Sequence, residues 1–255
     1  MENRTAIITF DVGNTSIKAG LFRKGRMVWA ASAPDAEALA AKLQAIEKPE
    51  AAAACSVRPS EDEPLRQVVK RLFGLPLAFL GCDLPAGMPV LCDQPDNVGA
   101  DRLANAIAAF HHALERVIVV DFGTAIAFDV VSEEGEFLGG AIAPGMGTCL
   151  DVLHTKTALL PSVRPDDPST AVGKNTVDAI LAGVVGGLPG LVDRVIENIE
   201  AELTSNFRVY ATGTDAQLIA PKCNTVDEVL PLLTLHGVFL AWQRNANKAA
   251  EEEED

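Results

Sequence analysis

Ile7-Ile8-Thr9-Phe10-Asp11-Val12-Gly13-Asn14-Thr15-Ser16-Ile17-Lys18 runs from an apolar segment into an acid, turns through Gly, Asn and Thr, and resumes with alternating apolar residues. The pattern predicts strand, tight turn and strand, not strand, turn and helix. It begins again at Val117, where Val117 to Val120 leads into Asp121-Phe122-Gly123-Thr124. Asp11 and Asp121, Gly13 and Gly123, Gly25 and Gly135, and the Ala33-Pro34 and Ala143-Pro144 pairs each stand 110 positions apart. Four matches in one register, without an insertion, point to a duplicated unit.

Working outward, Lys24-Gly25 is a turn and Arg26 to Ala31 a third strand, so the chain opens with an antiparallel meander. Pro34-Asp35 opens a helix with Leu39, Leu43 and Ile46 at helical spacing, Ala51 to Val57 reads as a buried strand, and Glu63 to Phe73 as an amphipathic helix stopped by Gly74. Leu75 to Leu80 completes a βββαβαβ order, and Asp96 to Arg102 leads into a further helix, with Asn97 or Asp101 as a possible N-cap. The second pass predicts strands to Val131 and from Glu136 to Ile142, and a helix from Gly145-Met146-Gly147 through Leu160. A helical region over Val177 to Leu203, bent or interrupted near Gly186 to Gly190, a strand over Phe207 to Ala211 and a last helix over Leu232 to Asn247 follow. The expected domains are an N-terminal half over 1–115, a C-terminal half over 116–248, and an acidic, disordered tail over 249–255.

With 255 residues and 48% hydrophobic content the chain can bury a sizeable core. No apolar run is read as approaching the roughly 18 residues of a membrane span, and Glu2 and Arg4 precede the first strand instead of a signal core, so a cytoplasmic protein is expected. The five cysteines, Cys55, Cys82, Cys92, Cys149 and Cys223, are scattered without a CxxC pair, and most read as core filler. A formal charge of -14 argues against a nucleic-acid surface, which needs a basic stripe. An anionic ligand would have to be held locally, by backbone N–H groups, a few cations and bound metal.

A turn of small residues between strands can present N–H groups and hydroxyls to a phosphate, although a Gly-Asn-Thr turn alone also serves any hairpin. Two such turns in related halves predict a cleft, with Thr212-Gly213-Thr214 as a third turn. None fits a Walker A or a dinucleotide-binding pattern. Phosphoryl transfer needs charge neutralisation and positioning. Asp11 suits the magnesium side, and Lys18 can reach phosphates from the next strand. Asp101 suits a proton acceptor for a hydroxyl, and Arg102 a partner for an anionic acceptor. Arg102 is expected to lower the pKa of Asp101.

These motifs resemble those of type III pantothenate kinases, in the superfamily of acetate kinase, sugar kinases, Hsp70 and actin. The resemblance rests on Asp11 to Thr15 with Lys18, Gly99-Ala100-Asp101-Arg102, Asp121 to Ala125, Gly139 to Gly145, Thr157 to Pro161 and Gly173-Lys174-Asn175-Thr176, in that order. It implies an α/β, duplicated actin-like (ribonuclease H-like) fold of two βββαβαβα-type halves around a nucleotide cleft. It also implies ATP-dependent phosphorylation of pantothenate to 4′-phosphopantothenate, the first step of coenzyme A biosynthesis. On this resemblance ATP binds at Asp11, Val12, Gly13, Asn14, Thr15, Ser16, Ile17, Lys18 and Thr124, with Mg2+ beside Asp11. A monovalent cation, K+ or NH4+, binds at Asp121. Pantothenate is held by Gly99, Ala100, Asp101, Arg102 and Thr176, with Asp101 catalytic, and the protein is a homodimer.

The chain departs from the family pattern at Thr214, where a Gly is usual, and at Ala127, where a Thr often precedes the next acid; both bear on nucleotide affinity. The alternatives are a regulatory or binding protein of the Bvg accessory factor type on the same scaffold, a kinase for another small hydroxy acid or sugar, and an actin-like filament protein. The presence of Asp11, Lys18, Asp101, Arg102 and Asp121 together favours the enzyme.

Overall fold

All six residues of β1 (Ile7–Val12) are buried, because in the computed structural model this strand is covered on both faces and paired along both edges. The structure describes residues 6–252. The chain forms two compact units, the first comprising the chain through His112 and again from Leu233, the second Ala113–Leu232. The return of the last helix to the first unit differs from the boundary expected from sequence, which kept it in the second half.

In unit 1, β2 (Ile17–Arg23) lies antiparallel to β1, and β3 (Arg26–Ala33) antiparallel to β2. Lys24 and Gly25 between them have φ of 49° and 74°. Two successive positive values match a type I′ hairpin turn, whose twist suits the flanking strands. The Asp35 side chain then accepts from Ala38 N at 2.8 Å and starts α1 (Ala36–Leu43). β4 (Ala51–Ser56) returns parallel to β1, α2 (Asp62–Phe73) ends at the left-handed Gly74, and β5 (Ala78–Phe79) completes the order β3-β2-β1-β4-β5. Ile8, Phe10 and Val12 pack with Leu39, Leu43, Leu65 and Val69 on one face of this sheet. α3 (Ala100–Ala113) and the final helix α8 (Leu233–Glu252) belong to the same unit. α8 packs on β1, β2 and β4, with Phe239 stacked on Phe22 at a centroid distance of 4.5 Å. The helix continues through Glu252, so the tail expected to be disordered from 249 begins helical; residues 253–255 lie outside the described residues.

Unit 2 repeats the plan. β6 (Val117–Phe122), β7 (Ala125–Val131) and β8 (Phe137–Pro144) form the meander; β9 (Arg208–Thr212) returns parallel to β6, and β10 (Glu228–Val229) gives the order β10-β9-β6-β7-β8. Read from the meander edge, this is the order of unit 1. The β7–β8 turn differs from its counterpart: Gly135 N donates to Ser132 O and Gly135 alone has the positive φ, 80°, the geometry of a longer loop with a left-handed glycine.

Where unit 1 crosses from meander to parallel strand through α1, unit 2 uses α4 (Met146–Thr155), a loop, α5 (Thr176–Val184) and α6 (Leu188–Leu203), with α7 (Ala216–Ile219) following β9. α4 stops short of the expected Leu160. The Thr155 and Thr157 hydroxyls donate to Asp151 O and Leu153 O, and Thr157 Oγ1 accepts from Leu160 N, so side chains take over the helix's last carbonyls. The apolar region after Thr176 is interrupted at Val185 to Gly187, as its glycines predict. By length and composition Thr176–Leu203 is apolar enough to cross a membrane, with a mean hydropathy of 1.6 over an 18-residue window, which corrects the expectation that no run approaches that length. Ile180, Leu181, Val185, Leu188, Val192 and Ile196 from this stretch are buried in the core of unit 2.

Asp193 on α6 ties down the segment after α7. Its carboxylate, 8% exposed, accepts from the backbone N–H groups of Asn224 and Thr225, from Asn224 Nδ2 at 2.9 Å and from Thr225 Oγ1 at 2.8 Å. Burial raises its pKa, but these donors together outweigh it and hold the pKa below the ordinary Asp value. A lowered folded pKa contributes stability that is complete above the unfolded value of about 3.9 and is lost as pH falls towards the folded one. Asp193→Ala, which leaves four donors unmatched, is expected to cost about 1–3 kcal/mol at neutral pH. Urea melts across pH check this: the difference from wild type should shrink on acidification, and a constant difference would refute the assignment.

Candidate active site

Asp11 sits next to last in β1, 6% exposed. The turn after it closes through Gly13 N donating to Ser16 O at 3.1 Å, leaving Asn14 and Thr15 on the surface. Across the sheet its register partners are Lys18 on β2 and Cys55 on β4. Lys18 Nζ lies 3.3 Å from Asp11 Oδ2, and Cys55 Sγ donates to Asp11 Oδ1 at 3.9 Å. Cys55 is fully buried; burial, then the charges of Asp11 and Asp101, push its thiol pKa well up, so the donor form persists.

Asp101 is the second residue of α3, whose first backbone bond runs from Leu103 N to Gly99 O. A Cβ at position 99 would lie 2.6 Å from Asp101 Oδ1, so glycine makes room for the carboxylate to fold back over the helix start. There Asp101 Oδ1 accepts from Arg102 N at 2.8 Å. Neither Asn97, at the end of a 3-10 turn over Pro95–Asn97, nor Asp101 acts as an N-cap of the ordinary kind. Arg102 lowers the pKa of Asp101 as expected, but the net shift is upward. Burial raises it and the Asp11 carboxylate adds to the rise, outweighing the Arg102 N–H and guanidinium. Asp11, Lys18, Cys55 and Asp101 therefore form one electrostatically connected group in unit 1.

Unit 2 treats its matching acid differently. Asp121, half-buried near the end of β6, has Ala127 and Thr212 as register partners, so neither neighbour carries a charge. Gly213, at φ 98°, packs against it: a Cβ there would lie 2.5 Å from Phe122 O and closer still to Asp121 Oδ1. Asp215 N donates to Phe122 O at 3.1 Å, and burial raises the pKa of the Asp215 carboxyl. The second and third turns thus lie against each other, with Thr214 exposed. Gly145 N and Thr148 Oγ1 both donate to Thr124 O, at 3.0 and 2.6 Å, seating the start of α4 on the Gly123–Thr124 turn. A Cβ on Gly145 would collide with that turn, standing 2.7 Å from Thr124 O. Thr176 is the exposed first residue of α5, after Asn175, whose side chain caps Asp178 N at 2.9 Å.

Gly99 to Arg102 and Asp11 to Lys18 are thus in unit 1; Asp121, Thr124 and Thr176 are in unit 2. Sequence reasoning missed Cys55, taken as core filler, and the seat that Gly145 and Thr148 make for Thr124. Only the strand register could have singled out Cys55, and that is not written in local periodicity. Among the described residues no group of three or more His, Cys, Asp or Glu side chains is arranged to hold a metal ion. Asp11 offers one hard carboxylate, which fits Mg2+, an ion that keeps several waters and binds through one or two carboxylates plus substrate phosphates.

Two repeated α/β units, each opening with a strand, an acid, a small-residue turn and a second strand, define a duplicated actin-like fold. The chain belongs to the type III pantothenate kinase family, whose model matches residues 7–198. It is 37% identical over 253 residues to a type III pantothenate kinase of Moorella thermoacetica, covering 94% of this chain and 99% of that one. It is 42% identical over 198 residues to one of Koribacter versatilis, covering 78% and 72%. Among solved structures, a Baf family chain from Campylobacter jejuni superposes with a TM-score of 0.62 at 20% identity, over 94% of this chain and 99% of that one, a likeness of fold alone.

Proposed function

We propose that this protein transfers the terminal phosphoryl group of ATP to the primary hydroxyl of pantothenate, giving 4′-phosphopantothenate. The observation that carries the reading is the division of labour between the two acids of unit 1. Asp11 is buried and paired with Lys18, a carboxylate set to stay in place. Asp101, beside Arg102 at a helix start, has its pKa raised by burial above the ordinary Asp value, which suits a proton acceptor. Family membership, with relatives of 37% to 42% identity that bear the kinase's name, supports the enzyme over a regulator on the same scaffold.

In this reading Asp11 to Lys18 and Thr124 bind ATP. Backbone N–H groups of the turn and the Lys18 ammonium face phosphate oxygens, while Asp11 holds the magnesium side. Mg2+ supplies charge neutralisation on the phosphates when bound. Gly99 and Ala100 shape the acceptor side, Arg102 and Thr176 contact pantothenate, and Asp101 orients the hydroxyl and receives its proton as the oxygen attacks. Asp121 takes K+ or NH4+ in this reading, as the carboxylate of unit 2 that matches Asp11 in the repeat. A homodimeric, cytoplasmic protein belongs to the same reading; unit 2 exposes Ile142, Val152 and Val177, apolar side chains that a second copy would cover.

The test is turnover. Purified protein with ATP, Mg2+ and K+ or NH4+ is expected to phosphorylate pantothenate, followed by coupled ADP release and mass spectrometry of the product. Absence of product across monovalent cations, with ATP binding retained, would refute the reading.

A further inference from the structure

We infer that Cys55 is a positioning residue, which sets the orientation of the Asp11 carboxylate and through it the affinity for magnesium-bound ATP. The inference rests on the ATP role given to Asp11 above, and not on the identity of the acceptor.

β1 is the central strand of its sheet, so Asp11 has a register neighbour on each side. Each neighbour supplies one donor, and the two donors engage different oxygens: Lys18 on Oδ2, Cys55 on Oδ1. An Asp carboxylate rotates in a broad, nearly two-fold well, so a contact to one oxygen leaves its plane poorly fixed. Lys18 is a long side chain, 28% exposed, on a flexible stem. Cys55 is short, fully buried and carried by a strand paired to β1 residue by residue. It is therefore the rigid half of the clamp.

The composition of β4 sharpens this. Ala51 to Ala54 precede Cys55, and Ala52 and Ala54 pack into the apolar core on one face of the sheet. Cys55 lies on the other face with Asp11, as alternation along a strand requires. Its thiol also feels the Asp101 carboxylate. A neutral donor in that position can hold Asp11 without adding a further negative charge beside two acids.

Two substitutions separate positioning from packing. Cys55→Val keeps an apolar side chain of similar volume and removes the donor; Cys55→Ser keeps a donor and places a hydroxyl in the core. Binding of Mg-ATP is read by titration calorimetry without pantothenate, and stability by thermal melts. Cys55→Val, which refills the apolar volume, is expected to melt no lower than Cys55→Ser but to bind Mg-ATP about 3- to 10-fold more weakly than wild type, the loss of one modest hydrogen bond. Cys55→Ser should bind more tightly than Cys55→Val although it melts lower. Affinities that follow the melting temperatures, or wild-type affinity in Cys55→Val, would overturn the inference. If Cys55→Val does not fold, Cys55→Ala replaces it in the same comparison. A wild type that binds Mg-ATP but does not phosphorylate pantothenate defeats the acceptor assignment and leaves this comparison readable.

Discussion

Asp101→Asn is expected to lower kcat by about 10²- to 10⁴-fold, the range for loss of a positioned proton acceptor, with the fold intact. Asparagine is isosteric, and its carbonyl oxygen can still accept from Arg102 N where Asp101 Oδ1 does now. The change removes the basicity and little else. The pH dependence gives a second reading of the same residue. Burial, reinforced by Asp11, holds the Asp101 pKa above the ordinary Asp value, so the acid limb of kcat/KM should lie above about pH 3.9. Below that limb Asp101 is protonated and cannot take the hydroxyl proton, so turnover falls as pH drops. Removing the Asp11 charge should move the limb down in whatever residual activity remains. An Asp101→Asn enzyme with near-normal turnover would remove Asp101 from the chemistry.

Gly237→Ala is expected to be among the most damaging small changes in the chain. Gly237 lies on α8 where it crosses α3. An added Cβ would stand 2.8 Å from Ala104 Cα and far inside van der Waals contact distance of the Ala104 carbonyl oxygen. These are backbone atoms, so no side-chain rotation relieves the clash and the helices must separate. Thr234 Oγ1, which donates to Asn105 Oδ1 at 2.9 Å in a buried pair, would separate with them. Overpacking of this kind costs about 1–3 kcal/mol, occasionally more, and a backbone clash belongs at the upper end. Ala104 is one helical turn from Asp101, so a displaced α3 also displaces the proposed proton acceptor. The expected result is a lower urea midpoint together with reduced kcat. A soluble variant with unchanged midpoint would show that α3 and α8 do not meet as described.

The C-terminal helix is where sequence and structure part most clearly. Its existence is legible from Leu233, Val238, Leu240 and Trp242, but its return to unit 1 is not, because Gly237 and Ala104 meet across 133 positions of chain. The same division runs through the site. Asp11 and its turn, Asp101 at a helix start and the repeat at Asp121 were all readable, since each depends on neighbours a few residues away. The expected depression of the Asp101 pKa failed because Arg102 is adjacent in sequence, whereas burial and Asp11, which oppose it, come from tertiary packing.

By itself the sequence determined the strands, their turns, the duplication and the residues available for phosphoryl transfer, all set by side-chain periodicity and local backbone preference. Tertiary structure alone decided that Lys18 and Cys55 take opposite oxygens of Asp11, and that Asp121 stands in register with Ala127 and Thr212 instead. It also decided that the Asp101 pKa rises above the ordinary Asp value. Charge, burial and register act through space, and chain separation carries no information about them.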